Sequence, residues 1–253
     1  MSINRRTLLK IIIGGIGLSI AEKTFANHPN LEMKEKTPHL PKNGRILFQG
    51  DSITDGNRGR NSDPNHILGH GYAFIISALC GGHFPEQNWT FMNRGISGNK
   101  ITDLAARWQK DTLDLKPDVL SILIGINDAS SVVNAAKDAV TVEQSEKVYD
   151  ELLEQTKTAL PNIKFVLCEP FVTNVGQITN RWDKFQADVP KRQQVVENLA
   201  KKYKAPLVRF QKVFDDASER ASANYWIWDG IHPTYSGHQL MADEWLKTVN
   251  KFY

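Results

Sequence analysis

The stretch ILFQGDSITDGN, residues 46–57, joins an apolar run fit for a buried strand to an abrupt halt on Gly50, Asp51 and Ser52. A run of this length, closed by glycine and small polar residues, reads as a strand that hands its next residues to a loop. The same signal recurs in RILFQG, WTFMNRG, DVLSILIG, KFVLCEP and PLVRF. Between these runs, apolar residues return at three- and four-residue steps and predict helices over 102–111, 143–160, 191–203 and 236–252. Strands alternating with helices imply a parallel sheet covered on both faces. The segments 54–71 and 171–189 are rich in Gly, Asn, Asp and Thr, and are expected to be functional loops. In an open parallel sheet, loops at the carboxyl ends of the strands form the crevice where ligands bind.

Residues 1–26 read differently from the rest. An Arg5-Arg6 head, an apolar stretch over 11–21 and a Thr24-Phe25-Ala26 ending have the layout of an export signal peptide, and the arginine pair followed by Leu8, Leu9 and Lys10 resembles a twin-arginine address. Gly14, Gly15 and Gly17 interrupt a stretch already shorter than the ~20 residues a membrane span needs, so no stable anchor is expected after cleavage. The expected location is periplasmic or extracellular. Cleavage after Ala26 removes Arg5, Arg6, Lys10, Lys23 and Glu22 from totals of 31 basic and 28 acidic side chains, leaving 27 of each. A neutral chain offers no electrostatic reason for a nucleic-acid partner. Residues 27–44 form a polar, proline-bearing lead, and 45–253, without repeat or linker, read as a single domain. Cys80 and Cys168 each lie in an apolar stretch and are expected to be buried thiols, with one bridge between them left open.

Four motifs fall on the same edge of the predicted sheet: GDSITDG (50–56), NRGISGN (93–99), IGINDA (124–129) and WDGIHP (228–233). A serine hydroxyl is a weak nucleophile at neutral pH, so a base must take its proton as it attacks. His232 suits that task. Asp229, three residues earlier, can reach one imidazole nitrogen across a turn, fixing the tautomer and stabilising the imidazolium. The negative oxygen of an acyl-transfer intermediate also needs donors, which backbone N–H groups at Ser52 and Gly98 and the Asn127 amide could supply.

These blocks resemble the SGNH branch of the GDSL hydrolases, in which a serine, a glycine, an asparagine and a histidine recur in this chain order. The matching positions are Ser52, Gly98, Asn127 and His232. The resemblance implies a flavodoxin-like three-layer α/β/α sandwich with a central parallel sheet of about five strands, the SGNH hydrolase fold. It implies Ser52 as nucleophile, Asp229 and His232 completing the triad, and an oxyanion hole of Ser52, Gly98 and Asn127, with no cofactor and no metal. GDSITD, RGISGN, ARWQKD, KPDVLSILIGIND and WDGIHP are most similar to bacterial acetyl-xylooligosaccharide esterases and related carbohydrate deacetylases. The expected reaction is therefore removal of acetyl groups from plant-derived saccharides, the partner being a small-molecule or oligosaccharide ester, with a homo-oligomer left open. Two alternatives are a lysophospholipase or thioesterase acting on lipid acyl chains, and a non-catalytic carbohydrate-binding protein on the same fold. No broad apolar lid invites a long chain, and a binder has no need of all three triad residues.

Trp228, beside Asp229, suits a substrate wall because a flat indole can cover a sugar face, while Trp226 fits wall or core equally. Asp51 and Asp128 read first as loop-fixing carboxylates. Asp51, next to the nucleophile, is also assigned with Trp228 to substrate binding. His66 and His70 in HILGH have the four-residue spacing of a helical zinc pair, but Pro64, Gly69 and Gly71 oppose a helix there, and no metal site is expected.

Overall fold

The computed structural model describes residues 37–61 and 63–253; the expected signal peptide at 1–26 and the first part of the lead, 27–36, lie outside the described residues. The apolar run of residues 46–48 sits in β1 (Arg45–Gly50), which pairs in parallel with β2 (Thr90–Asn93) on one side and β3 (Val119–Leu123) on the other. β4 (Lys164–Cys168) and the two-residue β5 (Leu207–Val208) extend the all-parallel sheet in the order β2-β1-β3-β4-β5. After Arg45, every residue of β1 is buried, as is the whole of β3. Burial on both faces is why these strands are continuously apolar instead of alternating with polar residues.

Helices cover both faces and make a three-layer α/β/α sandwich. One layer holds α3 (Ile101–Trp108), α4 (Ile126–Val133), α5 (Val142–Ala159) and α6 (Trp182–Tyr203). Leu47, Leu120, Ile122 and Leu167 join Trp108 and Leu153 in the core beneath it. The opposite layer holds α2 (Tyr72–His83), α7 (Phe210–Ser218), α8 (Ala223–Trp226) and α9 (Tyr235–Phe252). There Phe48 meets Tyr72 edge-on at 5.7 Å and Trp245 at 5.5 Å, and the Trp245 indole donates to Ser121 Oγ at 3.0 Å. Each such buried aromatic is worth roughly 2–3 kcal/mol in surface removed from water. Residues 37–253 form one compact unit; Leu40 is buried, and the His39 N–H reaches Asn250 Oδ1 at 3.1 Å.

The second expected loop is shorter than its composition suggests. α6 starts at Trp182, nine residues ahead of the predicted start at 191, and runs through Pro190. A proline inside a helix forfeits one backbone bond and crowds the carbonyl four residues earlier. Here burial of Phe185 and Val189 and the Arg192–Asp188 ion pair, which straddles the proline, outweigh that loss. The periodicity also misses the four-residue α8 and three longer helices, α2, α4 and α7. α2 is apolar nearly all round, so it shows no stripe, and the other two span only about two turns.

Candidate active site

At the switch point of the sheet, between β1 and β3, the chain turns sharply. A Cβ on Gly50 would lie 2.3 Å from the Leu123 carbonyl oxygen and 2.4 Å from Thr54 Oγ1, so only glycine fits. Asp51 Oδ1 then accepts the Ile53 N–H at 3.0 Å and caps the four-residue α1 (Ser52–Asp55), making Ser52 its first residue. Ser52 thus stands on a fixed backbone at the carboxyl end of β1.

The partner arm arrives 180 residues later. Ile227 and Pro233 form an antiparallel bridge, and the Trp228 N–H donates to the His232 carbonyl at 3.2 Å, closing a tight hairpin. Asp229 fills its turn: Oδ1 accepts the Ile231 N–H at 2.9 Å and the His232 N–H at 2.7 Å. The other oxygen, Oδ2, faces His232 Nδ1 at 2.7 Å, and His232 Nε2 faces Ser52 Oγ at 2.9 Å. Asp229 is 4% exposed, whereas His232 is half-buried. Burial opposes ionisation of Asp229, but the His232 side chain and the two N–H donors hold its carboxyl below the usual range. The hydrogen bond to Asp229 raises His232 against the cost of its own burial. A hydroxyl, an imidazole and an ionised carboxylate in one hydrogen-bonded line can move a proton from oxygen to nitrogen and back.

Two further strand ends bring Gly98 and Asn127 to the site. The turn over 96–99 docks on both β1 and α1, the Ile96 N–H donating to Gly50 O at 3.1 Å and the Ser97 N–H to Asp55 Oδ2 at 3.0 Å. Gly98 has φ of +83°, and a Cβ there would meet nothing within 4 Å, so backbone conformation and not crowding requires glycine. Asn127, in the first turn of α4, donates one amide hydrogen to Asn99 O at 3.1 Å, which fixes the side chain over that turn and leaves its second hydrogen for another acceptor.

Ser52, His232 and Asp229 therefore meet in one line, with Gly98 and Asn127 brought together beside the end of β1. Trp228 is 63% exposed and stacks on the His232 ring at 6.2 Å and 24°, while Trp226 is buried with its indole N–H on Ala217 O. Asp51 is corrected. At 1% exposure, with Oδ1 committed to the α1 cap, its carboxylate is sealed away from any ligand. Asp128 is equally sealed and accepts the Ile101 N–H that starts α3. His66 and His70 lie outside any helix, and His66 Nε2 sits 3.8 Å from Asp63. Cys80 and Cys168 are free and buried, each thiol pushed up to about 12 by burial.

Two polar residues of the site escaped the sequence reading. Asp55 receives both terminal nitrogens of Arg60, the Arg58 N–H and the Ser97 N–H, so it anchors the glycine-bearing turn. Gln177 donates to Asp229 Oδ2 at 3.2 Å. The second aspartate of GDSITDG was a visible signal for the former; nothing in the sequence ties Gln177 to Asp229.

The model of the GDSL-like lipase/acylhydrolase family matches residues 48–240. An acetylxylan esterase from Geobacillus stearothermophilus is 30% identical over 210 residues, covering 81% of this chain and 93% of the relative. Among solved structures, a protein from Parabacteroides merdae described as a GDSL-like lipase superposes with a TM-score of 0.78 at 38% identity, over 85% of this chain and 99% of that one. An acetyl xylan esterase from Geobacillus stearothermophilus gives 0.74 at 30% identity, over 83% and 96%. Catalytic mutants of that esterase replace single serine, aspartate and histidine residues by alanine, the last two three positions apart. With the sheet order, the strand-end serine and these matches in agreement, the chain belongs to the GDSL-like lipase/acylhydrolase family and is a carboxylic ester hydrolase.

Proposed function

We propose that the protein is a serine acetylesterase that removes O-acetyl groups from carbohydrates, acetylated xylo-oligosaccharides foremost, through an acyl-enzyme on Ser52. The observation that carries this reading is the unbroken line from Ser52 Oγ to His232 Nε2 at 2.9 Å and from His232 Nδ1 to Asp229 Oδ2 at 2.7 Å. Ser52 Oγ attacks the ester carbonyl carbon while its proton passes to His232 Nε2. The carbonyl oxygen becomes an oxyanion, met by the Ser52 and Gly98 N–H groups and the Asn127 amide. Collapse breaks the bond to the sugar oxygen, which leaves with the proton from His232. A water molecule then attacks the acyl-enzyme with His232 as base, and acetate departs as Ser52 recovers its proton. Asp229 stays ionised and stabilises the imidazolium in both halves.

The acetyl and xylan assignments draw support from the relatives, whose described activity is on acetylxylan or acetyl-xylooligosaccharides. The exposed Trp228 face beside His232 suits a sugar ring. The layout of residues 1–26 supports export and a location outside the cytoplasm; cell fractionation tests that reading. The decisive assay follows acetate release from acetylated xylo-oligosaccharides by the wild type, Ser52→Ala and His232→Ala. Both variants should lose about 10,000-fold or more in kcat while keeping the fold. Turnover that persists in Ser52→Ala overturns the mechanism. Rates that climb from acetate to butyrate to octanoate esters overturn the acetyl assignment and favour a lipid acyl hydrolase.

A further inference from the structure

The segment between β4 and α6 lies against the turn that carries Asp229. The Thr173 N–H donates to Gly230 O at 2.9 Å. A Cβ on Gly176 would stand 2.7 Å from Asp229 Cα, and one on Gly230 would stand 2.4 Å from Ile178 Cγ1 and 2.7 Å from Val175 O. Two backbones therefore touch where neither tolerates a side chain. From this contact Gln177 sends its amide to Asp229 Oδ2 at 3.2 Å, the same oxygen that faces His232 Nδ1. Gln177 is itself held: Arg181 reaches its carbonyl oxygen at 3.5 Å and also donates to Asn134, the residue that ends the helix begun by Ile126 and Asn127.

We propose that Gln177 is a positioning residue of the esterase, clamping the Asp229 carboxylate at Oδ2, the oxygen that its own turn's N–H groups leave free, and tying the acid–base arm to the helix that carries the oxyanion amide. The inference rests on the assignment of Asp229 and His232 to the proton relay. With Gln177 in place, Asp229 has a donor on every lone-pair direction its geometry uses: two backbone N–H groups on Oδ1, the imidazole and the amide on Oδ2. The amide fixes the carboxylate in the plane His232 needs and withdraws some of its electron density. Loss of that donor leaves Oδ2 a stronger acceptor for the imidazolium and a less well oriented one. The first effect raises the basicity of His232; the second slows the chemical step.

Gln177 is exposed apart from its amide contact, so its replacement does not threaten the core. The test compares full-length wild type, Gln177→Met, which keeps the length of the side chain without its donor, and Ser52→Ala, on a chromogenic acetate ester across pH. For Gln177→Met, kcat should fall about 3- to 10-fold with KM within twofold, as expected for loss of one hydrogen bond to a charged group. The acid limb of kcat/KM should move to higher pH, and the far-downfield proton resonance of the His232 Nδ1–H bond should shift. Unchanged kcat and acid limb, or a change in KM alone, overturns the proposal while an inactive Ser52→Ala leaves the relay standing. Activity retained in Ser52→Ala removes the relay and the proposal with it.

Discussion

Two buried aspartates flank Ser52, and they behave in opposite ways. Asp229, in the hairpin turn, is held below the usual carboxylate range, whereas Asp51, one residue before Ser52, is pushed up to about 7. Burial acts on both in the same direction. The difference lies in donors: Asp229 receives two backbone N–H groups, an imidazole and an amide, while Asp51 receives one N–H on Oδ1 and its Oδ2 is buried without a partner among the described residues. Asp128 nearby pushes Asp51 further, against the pull of His232. A carboxylate sealed in this fold keeps its charge only where the chain supplies hydrogen bonds to hold it.

The sharpest way to break the contrast is to neutralise each carboxyl without changing its shape. Asp229→Asn should cost about 10,000-fold in kcat, because the amide offers His232 the wrong tautomer and no charge. Steady-state kinetics on an acetate ester reads this directly, and a loss under tenfold would mean that Asp229 only shapes the turn. On the oxyanion side, Asn127→Ala should cost about 100- to 1,000-fold in kcat with little change in KM. A smaller loss would show that its free amide hydrogen points away from the reacting oxygen.

Asp51→Asn should leave kcat within about threefold, since the amide oxygen still caps α1. Its effect is on stability. The native carboxyl holds its proton up to about 7, against an ordinary value of 3.8 in the unfolded chain. Across that window the folded state binds more protons, so stability falls as pH rises and stays reduced above it. Asp51→Asn removes this contribution and should raise Tm near pH 8 relative to wild type more than it does near pH 4, as thermal melts would show. Glu169, also pushed up to about 7 by burial, keeps part of the slope in place. An equal Tm difference at both pH values would mean that burial does not raise Asp51 above its ordinary value.

The strands and the line of chemistry were legible because each rests on a local rule. Continuous apolar runs mark strands covered twice, and glycine with small polar residues marks their carboxyl ends. Ser52, Gly98 and Asn127 could be placed because each belongs to a short block closing one of those runs, and the Asp229–His232 pair because its three-residue spacing falls in a block just ahead of the last helix. The helical pattern predicted from 191 starts just after Pro190, a residue that disfavours a helix interior, and only the tertiary burial of Phe185 and Val189 reveals that α6 begins nine residues earlier. Of the two readings of Asp51, the loop-fixing carboxylate holds and the substrate contact does not, because proximity in sequence to Ser52 says nothing of which way a carboxylate turns. Gln177 lies 52 residues from the carboxylate it touches, and no periodicity records a contact between two loops.

α9 begins at Tyr235, two residues after the hairpin that carries His232; along its length Trp245 anchors into the sheet, and beyond it the Tyr253 hydroxyl donates to Phe165 O at 2.8 Å. His232 therefore keeps its place beside Ser52, 180 residues away along the chain, only while α9 stays packed on the sheet. Local opening of that one helix would part the pair before the sheet itself comes undone.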